Sequence, residues 1–275
     1  MTRSILIWLF AFLITAALAV YQRISGPTYP ITGQKEFYGS RIDYVFNRSH
    51  GGEGNSIVKL RVNDNSINGI LEWKRYKTSD DWTQIQMNYS DGYLIGELPH
   101  QPPAGKLLYR ILLLKNSYSE VIPDQPVIIR FKGDVPAVIL IIHVIVIFGA
   151  MLLSTRTGLE FLKPNPNYKR LTIITVVFLI LGGMILGPIV QKYAFGVYWS
   201  GFPFGTDLTD NKTLIALIGW LIALIAVLKA EKPRFWVIFA SLLLLVAFLI
   251  PHSLFGSELD YNELDKQKQE LQIQK

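Results

Sequence analysis

Four histidines, no cysteine and a thin scatter of carboxylates are the ligating and nucleophilic stock of this 275-residue chain. Without a thiol there is no disulfide, thiolate metal site, iron–sulfur cluster or cysteine nucleophile. His143 is the histidine that lies well inside a long apolar run, Val135–Ser154. An ionisable group in such a place is costly and by default points to function. Counting inward from Pro136 at ~1.5 Å per residue puts it about 10 Å below the end of the run. A neutral imidazole hydrogen-bonded to a neighbouring helix is the competing explanation.

A second group follows downstream. Tyr193, Tyr198, Trp199, Phe202 and Phe204 crowd the loop from Lys192 to Gly205, and Asp207-Leu208-Thr209-Asp210-Asn211-Lys212 comes directly after. Amphipathic rings settle at a bilayer interface, and Asp207, Thr209 or Asp210 can cap the helix that follows by accepting from its free N–H groups. His252 lies in Pro251-His252-Ser253. If these segments converge, His143, Asp207, Asp210, Lys212 and His252 form a candidate site at one membrane face. His143, His252 and Asp207 could then hold a divalent transition metal, or the two imidazoles a b-type haem. His50 and His100 sit in loop-like contexts and read as surface residues. Arg156 and Glu160, four apart at a helix end, read as an intrahelical pair.

These groups need elements to position them, and composition supplies the elements. Only 17% of residues are charged, against about 25% in an ordinary soluble domain. The deficit is local, because residues 22–133 hold 14 Lys/Arg and 11 Asp/Glu. That excludes a single soluble enzyme, a disordered chain and a coiled coil. Apolar runs cover Val135–Ser154, Leu171–Val190, Leu214–Leu228 and Phe235–Ile250, each near the ~20 residues that cross a bilayer. Ser4–Val20 forms a fifth, after Arg3. Its Ala17-Leu18-Ala19 has the small-x-small form of a cleavage site, so residues 1–21 are a signal anchor or a signal peptide. The expected domains are therefore an exported module over 22–133, a four-helix transmembrane domain over 134–253 and a polar tail over 254–275.

Charge sets direction. Arg156, Lys163, Lys169 and Arg170 follow one span, and Lys229, Lys232 and Arg234 fill the turn after another. The positive-inside rule makes these loops cytoplasmic. Residues 22–133, the loop 191–212 and the tail are then extracytoplasmic, across a bacterial inner membrane. Gly183 and Gly187 form a Gly-x-x-x-Gly pair for close helix packing, Pro188 can kink the same span, and the charge-alternating tail reads as a frayed, solvated helix.

Within the module, Val58-Leu60-Val62 alternates with Lys59 and Arg61. Ile70–Lys77, Trp82–Met87, Tyr93–Leu98, Leu107–Leu114 and Val127–Phe131 follow, separated by turn-forming segments. Short strands at this spacing predict an antiparallel all-β sandwich, with Trp73 and Tyr109 in its core. The run Leu98-Pro99, Pro103-Ala104-Gly105-Lys106 and Tyr109-Arg110-Ile111 resembles the late strands of fibronectin type III or immunoglobulin-like modules, which implies binding or spacing rather than chemistry. The whole order of export signal, sandwich, His-bearing helix, Tyr-Trp-x-Gly-x-Pro-Phe-Gly loop and Pro-His-Ser end resembles a bacterial (Bacteroidetes-like) integral membrane protein family. That resemblance brings no activity with it.

No Walker loop, GxSxG elbow, HExxH or dinucleotide glycine pattern occurs, so the balance leans away from an enzyme. No basic run interleaves with stacking aromatics, which argues against nucleic acid. The first expectation is a membrane protein that presents its module to a partner in the envelope or in a respiratory assembly, with the bilayer as its other contact. The alternatives are a metal- or haem-dependent redox or hydrolytic protein and, more weakly, a small transporter.

Overall fold

The computed structural model describes residues 2–251, 254 and 256–273, so His252 and Ser253 lie outside the described residues. The chain divides into two units: residues up to Pro27 with Val135–Ser257, and Thr28–Asp134 with the segment from Glu258 onward.

The helical unit begins with α1 (Thr2–Ser25). α2 (Ala137–Gly158) follows and runs into a 3-10 turn at Leu159–Leu162. A long helix comes next, built of α3 (Tyr168–Leu179), a π-helical stretch at Ile180–Leu186 and α4 (Gly187–Phe195). α5 (Leu208–Lys229) and α6 (Arg234–Leu249) complete it. Among the described residues four helices are long and apolar enough to cross a membrane: Arg3–Ser25, Ala137–Leu162, Tyr168–Phe195 and Leu208–Lys229. α6, with 16 residues, spans only about 24 Å.

The first segment does not stand apart from the others. α1 packs on α2 and α6, burying Ile7, Ala11 and Thr15, and Gln22 Nε2 donates to the Phe248 carbonyl at 2.6 Å. The helical unit therefore has five helices rather than the expected four. Trp220 is fully buried amid Ala216, Ala223, Ala240 and Met151; small residues facing one large ring let the helices close around it. The π-helical stretch has a local cause. Pro188 has no N–H to give to the turn before it, and Gly187 N–H reaches Gly182 O across the wider π turn.

The sheet unit opens with a hairpin, β1 (Ile31–Phe37) and β2 (Ser40–Phe46). Then come β3 (Ser49–Gly51), β4 (Ser56–Arg61), β5 (Asn68–Arg75), β6 (Thr83–Gln86), β7 (Asn88–Ser90), β8 (Tyr93–Leu98), β9 (Lys106–Lys115) and β10 (Tyr118–Lys132). One sheet is ordered β3-β10-β9-β5-β6 and the other β4-β8-β7. All pairings are antiparallel except β3 on β10. Both sheets and the hairpin share one core that includes Ile42, Phe46, Leu60, Leu71, Leu94, Tyr109 and Ile129. Alternation does the positioning: β4 reads buried-exposed throughout, as a strand with one wet face must. The hairpin was not expected. Its first strand is a polar-apolar mixture, and its turn is Tyr38-Gly39, with Tyr38 at φ 48° and Gly39 at φ 75°. Two left-handed residues suit a two-residue hairpin turn, yet tyrosine in the first place hides the usual Asn-Gly signal.

The tail also departs from expectation. α7 (Tyr261–Ile273) is exposed along most of its length, but its start is docked on the sheet unit. Tyr261 is only 3% exposed, and its hydroxyl donates to Gln101 Oε1 at 3.0 Å. Leu259 N–H meets the Ala104 carbonyl at 3.1 Å. Glu258 accepts from Lys106 at 2.5 Å and Lys77 at 2.9 Å, and Asp265 from Arg75 at 2.7 Å.

Candidate functional site

The aromatic-loop end of the helical unit gathers the polar groups. Asp207 is the N-cap of α5: its Oδ1 accepts from Thr209 N at 2.8 Å and from Asp210 N at 3.4 Å, satisfying donors that a helix start leaves free. Its Oδ2 accepts from Ser257 N at 2.6 Å, Ser257 Oγ at 3.0 Å and Ser200 Oγ at 3.2 Å. Asp210 Oδ2 takes Ser200 N at 2.7 Å, Gly201 N at 3.0 Å and Gln191 Nε2 at 3.1 Å. Asn211 Oδ1 holds Phe202 N at 2.7 Å. Gln191 Nε2 also donates to Ser200 Oγ at 2.6 Å.

Thus Asp207 and Asp210 converge, both nearly buried, on one loop serine. Gly201 makes this possible, because a Cβ there would come within 2.6 Å of Asp210 Cβ and 2.8 Å of Asn211 Oδ1. The lone pairs of Asp207 Oδ2 are committed to three donors from the chain, so the serines are tethered rather than poised as nucleophiles. The arrangement is a clasp that ties the loop, the start of α5 and the segment after α6 together.

Among the described residues, the other expected ones make no direct bond to this clasp. Lys212 Nζ donates to the Ile250 carbonyl at 2.7 Å, and among the described residues it makes no ion pair with either aspartate. His143 Nδ1–H donates to the Gly182 carbonyl at 3.1 Å, the same oxygen that accepts Gly187 N–H across the π turn. Its partner is thus backbone, and no hydrogen bond or ion pair links it to Asp207 or Asp210 among the described residues. No three His, Cys, Asp or Glu among those residues come together as a metal site, and the expected third ligand, His252, is not described. His50 Nε2 and His100 Nδ1 both lean on the Gly54 carbonyl, at 3.2 and 3.0 Å.

In the loop, Tyr193, Tyr198, Phe202 and Phe204 are exposed, Phe204 at 82%, while Trp199 Nε1 turns back to the Phe202 carbonyl at 3.0 Å. Of the packing glycines, Gly183 lies against Thr213 of α5 and Gly187 near His143. The backbone approach belongs to Gly182, where a Cβ would stand 3.1 Å from Ile147 N of α2.

Ser200, Gln191 and Ser257 were not expected. The two serines have as their only signal in the sequence a small hydroxyl residue beside glycine, in Ser200-Gly201 and Gly256-Ser257, and Gln191 has none. Arg156 and Glu160 do form the expected pair, but it is buried, with the side chains 2% and 0% exposed. Glu160 also accepts from Lys163 Nζ at 2.8 Å and Asn167 N at 2.9 Å, and the Arg156 guanidinium stands 5.3 Å from the Trp8 ring centre. In the sheet unit, Tyr109 OH donates to the Asn47 carbonyl at 2.8 Å, below a cleft of about 300 Å³ lined by Val45, Asn47, Ile57 and Lys59. Comparison with family profiles, curated proteins and solved structures finds nothing that matches this chain.

Proposed function

We propose that this is an integral membrane protein whose helical domain carries an exported immunoglobulin-like or fibronectin type III-like module, and that the module binds a partner in the cell envelope. The observation that carries the reading is the strand order, β3-β10-β9-β5-β6 against β4-β8-β7 with β3 parallel to β10. That order supports an immunoglobulin-like sandwich, a fold used far more for binding and spacing than for chemistry. The docked tail supports the topology. The chain leaves the helical unit at Ser257 and joins the sheet unit at Glu258, so an even number of crossings separates Asp134 from Glu258. α6 is then a span despite its length, and the basic loops at 156–170 and 229–234 are cytoplasmic. α1, packed rather than free, acts as a retained anchor, and the exposed rings of the 193–204 loop sit at the outer bilayer interface.

The test is a photo-crosslinking residue placed at Val45 or Ile57, the exposed apolar rim of the Tyr109 cleft. Discrete protein adducts in native membranes, lost on mutating Lys59 and Asn47 at the rim, are the expected result. Lipid adducts alone, or none, would overturn the binding role.

A further inference from the structure

We propose that the basic-loop end of the helical unit encloses a hydrated chamber that admits small anions. Ser154 Oγ, Thr155 Oγ1, Arg156 Nε, Tyr168 OH, Thr172 Oγ1 and Trp220 Nε1 are all buried there without a hydrogen-bond partner from the chain. Five of the six belong to residues no more than 2% exposed. They lie on three packed helices, and the packing is fixed on the spot: Ser241 Oγ of α6 donates to the Ser154 carbonyl at 3.0 Å, and the Thr157 and Thr175 hydroxyls of α2 and α3 meet at 3.3 Å. Trp220 belongs to the same apolar cluster as Met151, Val176 and Ala240.

An unmade hydrogen bond at a buried polar group costs about 1–3 kcal/mol, and hydrocarbon supplies no partner. Six such atoms in one region require partners from outside the chain. Arg Nε and Trp Nε1 can only donate, and the hydroxyls can turn to do so, so the guest must carry acceptors. Water meets that need, and an anion meets it better. Arg156 and Lys163 share the single carboxylate of Glu160, which leaves the local charge positive, and Arg234 stands over Phe161 at 4.8 Å beside them. This goes beyond partner binding by the module, and either can fail without the other.

The absence of native cysteine gives a clean test. In the full-length protein in liposomes, Ser154→Cys, Thr155→Cys and Thr172→Cys are to be reacted with small anionic and cationic methanethiosulfonates. Ala150→Cys and Ala247→Cys, also buried but in the apolar cluster, serve as controls. The polar positions should react while the controls stay silent until the protein is denatured. The anionic reagent should be faster by about tenfold, as expected where local charge concentrates one sign of ion. Chamber positions as silent as the controls overturn the hydrated chamber, and equal or faster cationic labelling overturns its preference for anions. Three chamber positions guard against one variant failing to fold.

Discussion

The Ser257 amide and hydroxyl both donate to Asp207 Oδ2, at 2.6 and 3.0 Å. The next residue, Glu258, is held by Lys106 and Lys77. Ser257 and Glu258 are thus each held within their own unit. Asp207 serves both α5, through Oδ1, and this junction, through Oδ2.

That double role predicts a graded response at Asp207. Asp207→Ala removes the cap, worth about 1 kcal/mol, and strands the Ser257 donors, worth roughly 1–3 kcal/mol more. Asp207→Asn keeps an acceptor toward Thr209 and loses mainly the charge-assisted part of the junction. Thermal unfolding in detergent should rank wild type above Asp207→Asn and Asp207→Asn above Asp207→Ala. Equal losses in the two variants would show that the charge alone matters.

The tail's hold on the sheet unit includes one buried ring beside its ion pairs. Tyr261 packs where Gly105 leaves room, its hydroxyl 2.8 Å from the place a Cβ would occupy, and Arg75 lies 5.2 Å from its ring centre. Tyr261→Ala should release the tail while leaving β1–β10 intact. Hydrogen exchange would show it as loss of protection at Leu259, whose amide is bonded to Ala104, with β9 and β10 unchanged. Protection kept at Leu259 would mean that the ion pairs suffice.

These two relationships mark the limit of what sequence reveals. Apolar runs located the long apolar helices because a bilayer imposes a length rule on each helix separately. Alternation located β4, and short apolar runs between turn-forming segments located β5, β8 and β9, for a similar local reason. The clasp is different: Gln191, Ser200, Asp207, Asp210 and Ser257 span 66 positions between the outermost pair, and no local pattern links them. His143 drew attention as an isolated charge risk, yet its partner is a carbonyl that a π turn exposes, and hydropathy carries no trace of such a turn. The tail looked solvated because its charges alternate, but their partners, Arg75, Lys77 and Lys106, lie far back in the chain.

α1 offers a third test. A signal peptide awaiting removal has no need of Ala11 at 0% exposure, of Trp8 beneath the buried Arg156 or of Gln22 bonded to Phe248. Intact mass of the protein purified from membranes should therefore include residues 1–21. Trp8→Ala should destabilise the helical unit by about 0.5–2 kcal/mol, since it removes the ring that faces the buried guanidinium. A mass beginning after Ala19 would overturn retention.

Acid stability should trace partly to Asp80. Arg75 forks onto it, Nε to Oδ2 at 2.6 Å and Nη2 to Oδ1 at 3.0 Å, and also reaches Asp265. Those hydrogen bonds hold the Asp80 carboxyl below the ordinary carboxylate range, against an opposing push from burial. Because the folded value is lowered, the stabilisation is complete above the unfolded value of about 3.9 and disappears as pH falls through the folded value. Both side chains are nearly a third exposed, so solvent screening limits the effect to about 1 kcal/mol or less. Asp80→Asn should lower the urea midpoint of the sheet unit's transition, followed in the full-length protein, at pH 7. The difference from wild type should shrink steadily below pH 4 and shrink also in high salt. A difference that persists unchanged at pH 2 would assign the loss to the Asp80 loop geometry instead of its charge.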